Sequence, residues 1–211
     1  MKVKLKFFIV SVSILFVQQL HAQTELTPSE INQFKAQVAE TASQTKTIVS
    51  DFVQKKEMDF LQDEAISEGE LTFKAPNLIR WEYKKPYTYQ VIFKGDELFV
   101  NEEGNKKVID LRSNKLFKSF NSLLVNSIKG TMFDDEAFEI SYFKIEKGFR
   151  VDFIPKDKRM RRFIASFQLT FSETDHQVTQ LKLIEPSNDF TVILFDNKQI
   201  NVSVLDSVFK M

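Results

Sequence analysis

The chain reads as a mainly β protein with two helical insertions, and three observations carry that reading. Apolar residues alternate with a period of two from Thr47 onward, short turn signals separate the runs, and helical spacing occurs in only two places. Thr27-Pro28-Ser29-Glu30 is a helix start, a capping hydroxyl followed by proline in the first turn. Ile31, Phe34 and Val38 follow at helical spacing, with Leu26 and Ala42 on the same side, so the first helix runs to about Gln44. Strands are predicted over 48–56, 66–73, 78–83, 87–94, 97–101 and 106–110. Lys94-Gly95-Asp96 and Glu103-Gly104-Asn105 are hairpin turns, which make neighbouring strands antiparallel. Residues 113–129 break the alternation with a helical stripe that includes Leu116, Phe117, Phe120, Leu123, Leu124 and Ile128. Strands resume over 137–145, 149–154, 163–171, 178–184 and 190–195, with Asp196-Asn197 read as a turn.

The amino-terminal residues point to export. Lys2, Lys4 and Lys6 precede an apolar run from Phe7 to Val17, and Ala22 supplies a small residue before Gln23, the pattern of a cleavable secretory signal. The run is short for a membrane span, which needs about 20 apolar residues. Of 211 residues, 189 follow Ala22, enough for one domain over 23–211. Those residues carry 26 basic and 29 acidic side chains, a balance that does not resemble a nucleic-acid-binding domain. There is no cysteine, hence no disulfide framework and no thiol to lipidate after the signal, so a free periplasmic protein is expected.

Composition also removes classes of chemistry. His176 is the one histidine outside the signal, so a Cys/His dyad or multi-histidine zinc site cannot be built within one chain. Its setting, Glu173-Thr174-Asp175-His176-Gln177, reads as a solvated turn. The five glycines are too scattered for a phosphate-cradling loop. Asp134-Asp135-Glu136 reads as a solvated acidic loop, and Lys156 to Arg162 as a basic connection between strands. Within the latter, Lys158, Arg159, Arg161 and Arg162 are candidates for docking to a partner or to anionic headgroups.

One sheet face is strongly aromatic. Tyr87, Tyr89, Val91 and Phe93 share a side, as do Phe163, Ala165, Phe167, Leu169 and Phe171; 19 of the 22 phenylalanines lie outside the signal. Such a face must be covered. Either the two helices complete an ordinary core, the simpler reading of the periodicity, or they cover it in part and leave an apolar cavity for a ligand.

Several stretches in order bear on that choice: Phe52-Val53-Gln54, Gly69-Glu70-Leu71-Thr72-Phe73, Pro76, Arg80-Trp81-Glu82-Tyr83, Pro86, Gly95-Asp96-Glu97-Leu98, and the closing Leu205-Asp206-Ser207-Val208-Phe209. Together they resemble the periplasmic outer-membrane lipoprotein carrier family, the LolA-like proteins. The resemblance is dense from about Ile48 to Val100 and weaker beyond. It implies an unclosed antiparallel β-barrel, a half-barrel, with helices as a lid over its concave mouth. It also implies a shuttle that takes acylated lipoproteins from an inner-membrane exporter to an outer-membrane acceptor as a monomer, with no catalysis and no cofactor. On this reading Leu71, Phe73, Ile79, Trp81, Tyr83, Tyr89, Val91, Phe93, Phe167 and Leu169 form the lipid-binding face, and Phe34, Val38, Phe117, Phe120 and Leu124 belong to the lid helices. The family pattern often carries an arginine latch just before the first of these prolines. Ala75 stands there instead, and strand parity places it inward with Leu71 and Phe73, whereas Arg80 alternates outward. Two other functions fit the sequence: a carrier or sensor of another lipid on the same fold, and a small outer-membrane β-barrel.

Overall fold

The amino-acid pattern is realised as one curved antiparallel sheet with a helix laid across its hollow side. The computed structural model describes residues 23–58, 64–111 and 126–211. A short strand β1 (Thr24–Glu25) leads into α1 (Pro28–Gln44), followed by β2 (Thr47–Glu57), β3 (Ala65–Lys74), β4 (Leu78–Lys85), β5 (Tyr89–Lys94), β6 (Glu97–Glu102) and β7 (Asn105–Asp110). The second half holds β8 (Phe138–Ile145), β9 (Gly148–Pro155), β10 (Ser166–Ser172), β11 (Val178–Ile184) and β12 (Phe190–Ile200). Of the proposed second helix, one turn at 126–129 falls in the described residues, and Phe117, Phe120 and Leu124 lie outside them, as do residues 1–22.

The strand order is β1-β8-β9-β10-β11-β12-β2-β3-β4-β5-β6-β7, with antiparallel pairing throughout. Two consecutive meanders are therefore joined at the centre, where the last strand pairs with β2. Among the described residues β1 and β7 remain edges, so the sheet is unclosed, a half-barrel as expected. A membrane-spanning barrel must close, because lipid cannot satisfy edge backbone groups. Among the described residues no helix is long and apolar enough to cross a membrane.

Helix α1 starts as its residues dictate. The Thr27 hydroxyl accepts from the Glu30 N–H and the Glu30 carboxylate accepts from the Thr27 N–H, a reciprocal capping box, with Pro28 in the first turn. Its buried face presents Phe34 and Val38 to the sheet.

Cross-strand rows build the concave core. Leu71 faces Trp81 and Phe73 faces Ile79 between β3 and β4, and Ile79 meets Phe93 on β5. On the other half Phe167 pairs with Phe153, their rings stacked at 4.5 Å, and Leu169 lies between Val151 and Leu181. The polar sides of these strands face outward. There Arg80 pairs with Glu82 at 2.6 Å and lies 3.7 Å from Glu70, in line with its expected outward direction. Ile92 and Phe209 are buried outside the main core cluster, and the closing 3₁₀ turn Asp206–Phe209 packs against β4.

Three expectations from strand parity need correction. Strand β10 begins at Ser166, so Phe163 belongs to a turn and is 55% exposed rather than inward-facing. Strand β5 begins at Tyr89, and Tyr87 is exposed. Residues Asp196 and Asn197 do not end β12, which continues through them to Ile200. In each case alternation stops or resumes at a turn or bulge, where its parity no longer holds.

Candidate lipid-binding cavity

Between α1 and the concave face lies a cavity of about 100 Å³. Its floor is apolar: Leu71, Ile79 and Trp81 from β3 and β4, Phe167 and Leu169 from β10, Leu181 and Leu183 from β11, and Phe195 from β12. Its roof is the second half of α1, with Val38, Thr41, Ala42 and Thr45, beside Ser127 and Ile128. Of the ten residues expected on the lipid-binding face, Leu71, Ile79, Trp81, Phe167 and Leu169 line this cavity. The other five lie on the same concave side as core: Phe73 and Phe93 are buried, and Tyr83, Tyr89 and Val91 pack around the cluster. Val38 reaches the cavity, whereas Phe34 anchors the helix in an aromatic nest of Phe133, Phe149 and Phe171.

Trp81 is held by the Phe52 ring at 4.6 Å and the Phe195 ring at 6.0 Å, and its Nε1 is buried without a hydrogen bond. Trp81 is 6% exposed. Its emission should therefore already be blue in the unliganded protein.

One end of the cavity is polar, and the sequence reading did not find it. β12 bulges against β2: Asp196 pairs with Asp51 and Gln199 with Val49, so Asn197 and Lys198 together oppose Ser50. Asn197 takes the left-handed conformation (φ 51°) found in one class of such bulges. The extra residue inverts strand parity. Lys198 consequently points to the same side as Phe195 and lines the cavity. The bulge is pinned from a distance: the Ser50 hydroxyl donates to the Asp196 carbonyl at 2.8 Å, and the Asn197 amide donates to Asp51 at 2.9 Å. Across from Lys198, the β10–β11 turn brings His176 and Gln177 to the cavity wall. His176 is half-buried, its ring 5.8 Å from that of Phe149 and nearly parallel to it, not the solvated turn residue its neighbours implied. Burial pushes the Lys198 ammonium below the usual lysine range, opposed by the nearby Asp175 and Asp196 carboxylates.

Ala75 does not occupy an inward latch position. It lies exposed in the β3–β4 turn, where strand parity ends at Lys74, and its N–H donates to the Lys46 carbonyl at 2.8 Å. The end of α1 is fastened by Asn201 instead. Its Oδ1 accepts from the Lys46 N–H at 2.7 Å, and its Nδ2 donates to the Gln44 carbonyl at 3.0 Å. The Thr41 hydroxyl adds a bond to the Asp175 carbonyl at 3.1 Å. Asn201→Gly keeps the positive φ of 58° at this site but removes these side-chain bonds and a longer one that the Thr47 N–H donates to Oδ1 at 3.5 Å. It should cost about 1–3 kcal/mol in chemical denaturation and speed uptake of a neutral fluorescent acyl probe. Unchanged uptake would mean that Asn201 does not hold the helix.

The four candidate docking residues sit together around the 3₁₀ turn Met160–Arg162, all exposed. Arg159 pairs with Asp157 at 3.3 Å, and Arg161 donates to the Pro155 carbonyl. The exposed Phe163 adjoins them. Asp134, Asp135 and Glu136 are exposed as expected; Asp134 caps the N–H groups of Glu136 and Ala137, and Asp135 lies 3.6 Å from Lys35.

Comparison with known structures places this architecture among related folds. A conserved protein of Thermus thermophilus superposes with a TM-score of 0.54 at 7% identity, covering 86% of this chain and 93% of its own. A DUF1329 family protein of Desulfovibrio piger gives 0.50 at 14% identity, covering 85% and 97%. A LolA superfamily protein of Nitrosomonas europaea gives 0.45 at 9% identity, covering 85% and 97%. A comparison with the curated proteins found no match. The family described as outer membrane lipoprotein carrier protein LolA matches residues 43–211, most of the chain and nearly the whole sheet. The protein thus belongs to the outer membrane lipoprotein carrier protein LolA family.

Proposed function

We propose that the protein is a periplasmic carrier that shields acyl chains of lipoproteins or lipids in the cavity under α1. In this reading it receives cargo from an inner-membrane exporter and delivers it toward the outer membrane, the exposed basic turn at 158–162 serving as a docking face. The observation that carries the reading is a mainly apolar cavity under α1, on a sheet that is unclosed among the described residues.

The energetics fit a shuttle that opens. A buried methylene contributes about 0.8 kcal/mol, so three long chains would represent tens of kcal/mol, whereas non-covalent affinities stop near roughly −20 kcal/mol. A carrier therefore shields part of its cargo and releases it by changing state. A cavity of about 100 Å³ accepts the end of one chain, and larger cargo needs α1 to lift.

The test is binding of the methyl ester of cis-parinaric acid, a neutral fluorescent acyl probe. Leu183→Trp fills the floor from a half-buried position and should weaken binding at least tenfold, a loss of about 1.4 kcal/mol. Full-strength binding by a variant that remains folded in circular dichroism would place the chain elsewhere and end this reading.

A further inference from the structure

The polar end of the cavity names a cargo class. Lys198 lines the cavity, and among the described residues it makes no hydrogen bond or ion pair. Its neighbouring carboxylates are held by other groups: Asp175 accepts from the Gln177 N–H at 3.1 Å, and Asp196 from the Asn197 N–H at 2.8 Å. The two carboxylates act on the Lys198 ammonium only through space, so this half-buried group, held there by the pinned bulge, has donors free for a ligand. Gln177 lines the same cavity, and its Oε1 is buried with no hydrogen bond. Rotating that amide about its last torsion would present Nε2 to the cavity instead. His176 is fixed against Phe149 on the same wall.

Three of the last four carbonyls of the helix overhead already accept hydrogen bonds. Exposed carbonyls in the last turn of α1 would repel an anion. Here the Thr45 hydroxyl and N–H take the carbonyls of Thr41 and Ala42, and Asn201 takes that of Gln44. The rest of the lining is mainly hydrocarbon and aromatic ring, and the hydroxyls of Thr41, Thr45 and Ser50 within it already donate to backbone carbonyls, so a ligand that satisfies both ends is an amphiphile with a compact negative group next to its chain.

We infer that Lys198, with His176 and Gln177, receives the anionic group of an acyl-bearing ligand, a carboxylate or a phosphate, while the chain lies over Trp81, Leu169 and Phe195. The inference rests on the carrier reading and adds a head-group preference to it.

Displacement of the bound parinaric methyl ester separates the two. Hexadecanoate and hexadecyl phosphate serve as competitors against hexadecanol, which has a chain of the same length and no charge. In the native protein at least one anion should displace the probe at a concentration on the order of 10- to 100-fold lower than the alcohol, the scale of one charge-assisted hydrogen bond. Whichever anion is stronger identifies the head group. Lys198→Met should bring anion and alcohol together, and Lys198→Arg should restore most of the preference. If the ester does not bind, the carrier reading fails and the head-group inference falls with it. If the ester binds but both anions and the alcohol compete equally, or Lys198→Met keeps the preference, the head-group inference alone is overturned.

Discussion

Phe34→Ala should lower stability by about 3–5 kcal/mol and unseat α1 before the sheet unfolds. The Phe34 side chain is 1% exposed and meets five other aromatic rings: Phe149 at 4.8 Å, Phe171 at 5.1 Å, Phe133 at 5.8 Å, and Tyr142 and His176 both at 6.4 Å. Phe34 and Val38 are the buried residues of a 17-residue helix. A helix of that length is marginal in water without packing, so removal of its main anchor acts on the helix first. Because the second half of α1 roofs the cavity, the same substitution should speed uptake of the neutral acyl probe. Hydrogen exchange should show amides of α1 exchanging faster while those of β9 and β10 stay protected. Uniform loss of protection over helix and sheet would show that α1 is not a separable lid, and a cost below about 1 kcal/mol would contradict the packing argument itself.

Gly69→Ala should be at least as damaging, with a cost above about 4 kcal/mol or failure to fold. A methyl group there would lie 2.0 Å from the Glu82 carbonyl oxygen and 2.5 Å from the Phe52 ring. Neither obstacle can yield cheaply. The carbonyl belongs to the β3–β4 pairing, and Phe52 lies opposite Gly69 on β2, its ring packed against Trp81. The glycine is the space in which an aromatic ring crosses the sheet face to hold the cavity floor, an arrangement known to stabilise glycines in strands. Gly95→Ala is the control: its methyl group would meet nothing within 4 Å, and the cost is the positive φ of 62° alone, roughly 1–2 kcal/mol. Comparable melting curves for the two variants would refute the close-approach argument.

Much of the architecture was legible because its signals are local. Thr27, Pro28 and Glu30 specify a helix start through contacts within one turn. The hairpin turns at Gly95 and Gly104 need positive φ, which neighbours in sequence announce. Alternation along β3, β4 and β10 names the residues that become the cavity floor, Trp81 and Leu169 among them. The ordered stretches from Phe52 to Leu98 carry the family likeness, and they coincide with β2 to β6.

The sequence by itself determined the strand content, the place of α1 and the apolar character of one face, since each depends on residues a few positions apart. Tertiary structure alone decided which inward residues become cavity and which become core, because that depends on where α1 crosses. It also decided the polar end. Lys198 turns inward only because Ser50 and Asp51, 146 residues away from their partners, pin a bulge that inverts parity. His176 is drawn under Phe149 by a turn whose local residues are all polar. Ala75 turns outward because the strand ends one residue before it. Period-two reasoning carries a side chain's direction only as far as the next bulge or turn, and those are set by partners that lie far off along the chain.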